Sequence, residues 1–137
     1  MTRRVAPCLA LALLGLLVAG CGGSAQKPYT AAGTQACLTQ KGFKGVTTDP
    51  VKIGFIAGFA ENGGVQARAK DGNVLTIAFA ADANSADATK RAFKNHAPAK
   101  LRPRINDIME SQGNAVLVWT VSPTPAQLAA AQSCLHA

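Results

Sequence analysis

The chain has 137 residues, of which 48% are hydrophobic and only 5% aromatic, and its 14 basic side chains outnumber its 7 acidic ones. A chain of this length is long enough for one compact domain and a short tether. The net charge of +7 favours a negatively charged neighbour, such as anionic lipid headgroups, a cell-wall polymer or an acidic protein face.

The N-terminal segment has the features of an export signal. Arg3 and Arg4 precede the apolar run 8–18, which is too short to span a membrane comfortably. The run ends in the sequence VAGC at positions 18–21, an aliphatic residue followed by two small residues and a cysteine. This stretch resembles the lipobox of bacterial lipoprotein precursors, and the resemblance covers residues 1–21.

The resemblance implies a signal peptide over 1–20, a lipid-modified Cys21, a flexible tether over 21–28 and a single domain over 29–137. The lipid on Cys21 would hold the protein on the cell membrane, facing away from the cytoplasm, where nucleic acid is not an expected partner. The alternative is an ordinary signal peptide, which would leave Cys21 as a plain thiol.

The remaining cysteines form one pair. With the signal removed and Cys21 lipidated, only Cys37 and Cys134 are left, and outside the cytoplasm such a pair is most simply a disulfide. The alternative is a metal site that also uses His96 and His136, but the four residues lack zinc-site spacing, and no metal or other cofactor is expected. The disulfide would close a loop of about 100 residues, nominally worth about 4–5 kcal/mol.

Local signals place the helices. The first helix is predicted to begin at Thr30 or Thr34 and to end before Gly42, followed by a short extended piece. The apolar range 51–59 follows an Asp-Pro pair that is typical of a helix start, so a helix is favoured there, with a buried strand as the alternative. Two later helices are predicted, one from Asp82 or Ser85 and one from the capping box of Thr124, Pro125 and Gln127.

Two Gly-Asn turn signals, at 72–73 and 113–114, each lie between extended runs and predict two hairpins. Each hairpin leads into one of the later helices, so the chain contains two hairpin–helix units. In the first hairpin, a three-residue loop over 70–72 keeps Leu75 and Ile77 on one apolar face. A two-residue loop would instead mix polar and apolar side chains on both faces of the hairpin.

These elements predict an α+β fold: a small antiparallel sheet of four to five strands, with the helices mainly on one face. Cys37 and Cys134 would then join the first and last helices across that face. The other face of the sheet is expected to be more open.

A basic cluster is the first candidate binding surface. It extends from the second half of a predicted helix into the next strand, and no acidic residue interrupts it. It would contact anionic headgroups or an acidic partner, although a solvated helix end is the simpler explanation. The cluster consists of Lys90, Arg91, Lys94, Lys100, Arg102 and Arg104.

Leu117 and Trp119 are the second candidate surface. When the two hairpins are aligned on their Gly-Asn turns, these residues match Thr76 and Ala78, which places them on the more open face. Large apolar side chains there would form a ligand or partner surface. The alternative is a central strand covered on both sides, in which Trp119 belongs to the core.

No catalytic constellation is apparent, because no serine lies in a nucleophile-elbow motif and no histidine is placed beside a nucleophile by the sequence pattern. The sequence therefore predicts a non-enzymatic binding or accessory module of the cell envelope. It would be held at the membrane through the lipid on Cys21, and its partner would be an envelope protein or an anionic polymer. The alternative is a carrier of a lipid or other small apolar ligand, held between the sheet and the apolar range 51–59.

Overall fold

A computed structural model of the protein describes residues 27–137, and these residues form an α+β domain around one five-stranded antiparallel sheet. The predicted fold class is confirmed. In chain order the elements are α1 (Ala31–Gln40), β1 (Lys44–Thr47), α2 (Pro50–Ile53), α3 (Phe55–Gly58), β2 (Gly64–Arg68), β3 (Val74–Phe79), α4 (Ala83–His96), a 3-10 helix (Arg102–Arg104), β4 (Met109–Gln112), β5 (Ala115–Trp119) and α5 (Pro125–Gln132).

The strand order is β1-β2-β3-β5-β4, so the second strands of the two hairpins are neighbours at the centre of the sheet. In the first hairpin, Ala67 pairs with Leu75, and the Ala69 N–H donates to the Asn73 carbonyl over 2.8 Å. Gly72 closes the loop with a φ of 90°, a conformation that only glycine adopts without strain. The predicted three-residue loop and its register are confirmed.

The second hairpin has a shorter loop. Gln112 pairs with Ala115, so that only residues 113–114 connect the two strands. Alignment of the two Gly-Asn turns therefore does not superpose the registers of the two hairpins. Because a one-residue shift exchanges the two faces of a strand, this alignment cannot assign the faces of β5.

Helices cover both faces of the sheet, where the sequence predicted helices mainly on one face. On one face, the ring of Phe43, which follows α1, lies 6.3 Å from that of Trp119. On the other face, Ala78 of β3 packs against Ile53, Ala57 and Phe93, which belong to α2, α3 and α4. The central strands carry buried apolar side chains on both sides, and each side therefore needs a cover.

The predicted disulfide between Cys37 and Cys134 is present, and it links α1 to the turn that follows α5. These two elements lie on the Trp119 face of the sheet, as the sequence predicted. Cys134 is fully buried beside Ala131 and Leu135, so the bond lies in the core. It ties the first helix of the domain to its last.

The helix termini follow the local signals. Thr30 accepts a hydrogen bond from the Gly33 N–H over 3.0 Å, and Asp82 accepts one from the Ser85 N–H over 2.7 Å. Thr124 and Gln127 form the predicted capping box at α5. Each cap satisfies backbone N–H groups that have no partner within the helix.

The turn of the first hairpin is linked to α5 through Asp71. Its carboxylate accepts from the Asn73 N–H over 3.0 Å and from the Gln127 amide over 2.8 Å. These bonds stabilise the charged form, so the pKa of Asp71 lies below its ordinary value.

Candidate binding cavity

The range 51–59, for which a helix and a strand were both considered, forms two short helices. Asp49 caps α2 by accepting from the Val51 N–H over 3.0 Å. Gly54 then interrupts the helix with a φ of 86°, a left-handed conformation that a residue with a Cβ avoids. The chain turns at this glycine into α3, and the helix prediction is therefore correct in type but misses the break.

The two short helices pack closely on each other and on the sheet. A Cβ on Gly58 would lie 2.9 Å from the Pro50 carbonyl oxygen, so only glycine permits this approach of α3 to α2. Ile53 and Ala57 are buried against Ala78. We refer to α2 and α3 together as the helix pair.

A cavity of about 550 Å³ lies between the helix pair, α4, the segment 97–105 and the sheet. Its lining is almost entirely apolar, and His96 is the only titratable side chain among the lining residues. Phe55, His96 and Pro98 are exposed and therefore mark its mouth. The lining residues are Ile53, Gly54, Phe55, Ile56, Ala57, Ala92, Phe93, His96, Ala97, Pro98, Leu101, Ile105 and Val118.

The α4 wall of the cavity is built from one face of that helix. Ala92, Phe93 and His96 line the cavity, and their spacing of three and four residues places them on the same side of the helix. Ala92 has a small side chain, which leaves space where a larger residue would fill the cavity. Beyond the helix, Arg102 Nε donates to the Ala97 carbonyl over 2.9 Å and holds the segment 97–105 in place.

Val118 of β5 forms the floor of the cavity. Its two neighbours in the strand, Leu117 and Trp119, do not lie on the face where the sequence analysis placed them. Leu117 lies opposite Ile77 and Trp119 lies opposite Leu75, so both belong to the Trp119 face and are 0% and 1% exposed. They are core residues, and the prediction that they form a binding surface is wrong. Because side chains alternate along a strand, Val118 points to the other face and is the residue of this strand that reaches the cavity.

Part of the basic cluster flanks the cavity. Lys100, Arg102 and Arg104 alternate with the lining residues Leu101 and Ile105. From residue 88 to residue 106 the chain carries no acidic side chain, so this wall is uniformly basic. Lysine and arginine side chains at such a mouth would attract the negatively charged end of a ligand.

The cluster is not one continuous patch of equivalent side chains. Lys90 lies 3.6 Å from Asp87, and its side chain is 33% exposed. Arg104 donates to the Thr120 carbonyl over 3.4 Å. Arg91, Lys94 and Lys100 are exposed on the surface.

Sequence reasoning missed the structural role of two asparagines. Asn114 is 3% exposed, accepts from the Tyr29 N–H over 2.7 Å and donates to the carbonyls of Tyr29 and Ala80. Asn73 is 4% exposed and bonds to Thr120 and to both backbone groups of Val121. The repeated Gly-Asn pair was the available signal, but its sequence context indicated only a turn.

Three exposed apolar residues of the helix pair were also missed. Val51, Phe55 and Phe59 are 90%, 78% and 75% exposed. Apart from Lys52, every side chain in the range 51–59 is apolar, and of these Ile53 and Ala57 are buried. Large apolar side chains that lie this close together on a surface commonly mark an interaction site.

Comparisons of the chain with protein-family models, with curated proteins and with solved structures find no match. The function of the cavity is therefore inferred from its geometry. Within residues 27–137, no three His, Cys, Asp or Glu side chains are grouped so that they could hold a metal ion, and no helix has the length and apolar character needed to cross a membrane. Cys21 and the rest of the lipobox lie outside the described residues.

Proposed function

We propose that this protein is a lipoprotein of the cell envelope, anchored through a lipid on Cys21, and that it acts as a non-enzymatic binding module. We further propose that its ligand is a hydrocarbon chain held in the cavity beside the helix pair. The observation that carries this proposal is the apolar cavity itself, which lies where the sequence-based alternative of a lipid carrier requires one, between the sheet and the range 51–59.

The size and chemistry of the cavity suit such a ligand. Small-molecule sites commonly measure about 300–1,000 Å³ and are mainly apolar, and the volume here is about 550 Å³. Each methylene that leaves water contributes about 0.8 kcal/mol, so about ten of them contribute about 8 kcal/mol before the entropic cost of binding is subtracted. The basic wall would favour a ligand whose polar end is negatively charged.

The lining favours binding over catalysis. A general acid or base must lie beside a reacting group and be oriented by a second polar residue. His96 is the only titratable residue of the lining, and it lies at the exposed mouth. An apolar chain can be held here by contact alone, without any reacting group.

Replacing Ala92 with leucine should weaken ligand binding by about tenfold or more, because three additional carbon atoms overfill the α4 wall at a cost of about 1–3 kcal/mol. The measurement is isothermal titration of the purified protein with dodecanoic acid below its micellar concentration. Ala88→Leu is the matched control, since Ala88 is exposed on the same helix and does not line the cavity. Equal affinities for the two variants would contradict the proposed site.

The anchor is tested by intact mass spectrometry of protein isolated from its native membrane. We expect a mature chain that begins at Cys21 with the added mass of a diacylglyceryl group, and no thiol labelling of Cys37 or Cys134. Cys21→Ser is the control and should lack the added mass. An unmodified, reactive Cys21 thiol would contradict the anchor, and a dissociable mass under native conditions would identify the ligand.

A further inference from the structure

The helix pair and the residue that follows it expose three large apolar side chains that lie close together in the sequence, Val51, Phe55 and Phe59. The rings of Phe55 and Phe59 are 4.9 Å apart, and α2 contributes the 90% exposed Val51. The close contact of Gly58 with Pro50 keeps α2 and α3 together as one unit. The outer side of this unit is therefore a small apolar surface.

The exposure is a consequence of the fold and not of a loosely packed segment. Ile53 and Ala57 are 4% and 1% exposed, and they hold the inner side of the helix pair against the sheet. Since this inner side is occupied, Val51, Phe55 and Phe59 cannot also turn inward. Among the described residues nothing covers them, so this surface is accessible to a partner.

Charge and position both point to a membrane as that partner. Phe55 lines the mouth of the cavity, and the segment 97–105 on the other side of the cavity carries the exposed Lys100 and Arg102 without an acidic residue between them. Apolar side chains next to lysines and arginines are the combination that binds anionic lipid surfaces. An acidic lipid headgroup would meet the basic wall while the apolar side chains enter the acyl region.

The chain geometry allows the anchor and this surface to reach the same bilayer. The Ala31 N–H donates to the Asn62 carbonyl over 3.1 Å, so the start of the domain lies beside the end of the segment that follows α3. Phe59 is three residues from Asn62 and thus at most about 11 Å away along the chain. Cys21 is six residues from Lys27, a span of at most about 22 Å.

We propose that Val51, Phe55 and Phe59 insert into the surface of an anionic lipid bilayer, with the basic wall on the headgroups and the cavity mouth facing the membrane. An acyl chain could then pass between the bilayer and the cavity without crossing water. This inference deepens the proposed function and rests on it for the position of the protein at a membrane.

The test uses the mature chain with Cys21→Ser, so that its own lipid does not contribute to binding. Co-sedimentation is measured with vesicles of phosphatidylglycerol and phosphatidylcholine, and with vesicles of phosphatidylcholine alone. Val51→Ser combined with Phe59→Ser should weaken binding to the anionic vesicles by about tenfold or more. Neither residue lines the cavity, and both are exposed, so the fold should be preserved, as thermal unfolding would verify.

The matched control is Val121→Ser, which removes an apolar side chain that is 46% exposed and lies outside the helix pair. It should bind anionic vesicles like the parent protein. Lys100→Glu should weaken the preference for anionic vesicles. Equal vesicle binding by the Val51/Phe59 variant and the Val121 control would overturn the proposal.

Two further outcomes separate this inference from its alternatives. If the parent protein forms a dimer that the Val51/Phe59 variant loses, and does not bind vesicles, then the surface is an interface between two copies and the proposal is wrong. Ala92→Leu should retain vesicle binding. If Ala92→Leu also retains full affinity for dodecanoic acid while the Val51/Phe59 variant loses vesicle binding, the proposed membrane-binding surface is supported and the proposed ligand site is wrong.

Discussion

Replacing both Cys37 and Cys134 with alanine should lower the free energy of unfolding by about 4 kcal/mol. The disulfide spans 97 residues and closes nearly the whole described domain, so its loss releases a large amount of chain entropy in the unfolded state. The buried position of Cys134 adds a small loss of packing. Urea unfolding, followed by the fluorescence of the buried Trp119, measures the change.

Reduction provides the control for this variant. The parent protein in excess dithiothreitol should unfold at nearly the same urea concentration as the double alanine variant, whereas the variant itself should not respond to the reductant. An unchanged unfolding midpoint would mean that the disulfide contributes little to stability and that α1 and the end of α5 are held by packing alone. Stabilisation of the domain would then be the wrong explanation for this cysteine pair.

Asn114→Ala should lower the free energy of unfolding by about 3 kcal/mol. The amide bonds to both backbone groups of Tyr29 and to the Ala80 carbonyl at distances of 2.7–2.9 Å. Its truncation removes three hydrogen bonds in a buried or half-buried setting, and each lost bond costs about 1 kcal/mol or more. The same urea unfolding measures the loss, and hydrogen exchange should show faster opening near the start of α1.

Asn106→Ala is the matched control, since Asn106 is exposed and the same side chain is removed. Its free energy of unfolding should stay within about 0.5 kcal/mol of the parent value. Asn73→Ala should resemble Asn114→Ala, because Asn73 bonds in a similar way to Thr120 and Val121 at the end of β5. A loss of stability in Asn114→Ala no larger than that in Asn106→Ala would refute this structural role of Asn114.

The helix pair serves both proposed functions with opposite sides of one short segment. Its inner side packs on Ala78 and forms part of the cavity wall, and its outer side carries the exposed aromatic rings. Gly54 and Gly58 make this arrangement compact, since one permits the change of direction and the other the close contact with Pro50. Substitution of either glycine would disturb the cavity and the outer surface together.

Much of the local structure followed from the sequence. The structure selects Thr30 and Asp82 from the pairs of caps that the sequence left open, and it confirms the cap at Thr124 and the register of the first hairpin. These features depend on residues within a few positions of each other, so the chain specifies them by short-range hydrogen bonds and by alternation along a strand. The pairing of Cys37 with Cys134 followed from the lipobox resemblance and the cysteine count.

The functional site was predicted only in part. The sequence indicated an apolar segment at 51–59 and a basic cluster, and the alternative of an apolar ligand placed that ligand beside this segment. It could not assign Val118 to the cavity or place Phe55 and Phe59 on the surface. These assignments depend on how α2, α3 and α4 pack on the sheet, through contacts between residues far apart in the chain.

By itself, the sequence determined the α+β class, the caps, the first hairpin and the disulfide, because each depends on local geometry or on the number of cysteines. Only the tertiary structure decided which residues of β5 lie on each face of the sheet. The register between β3 and β5 joins residues about 40 positions apart and is set by packing on both faces, so the turn alignment placed Leu117 and Trp119 on the wrong face. The cavity and the exposed helix pair follow from the same long-range packing.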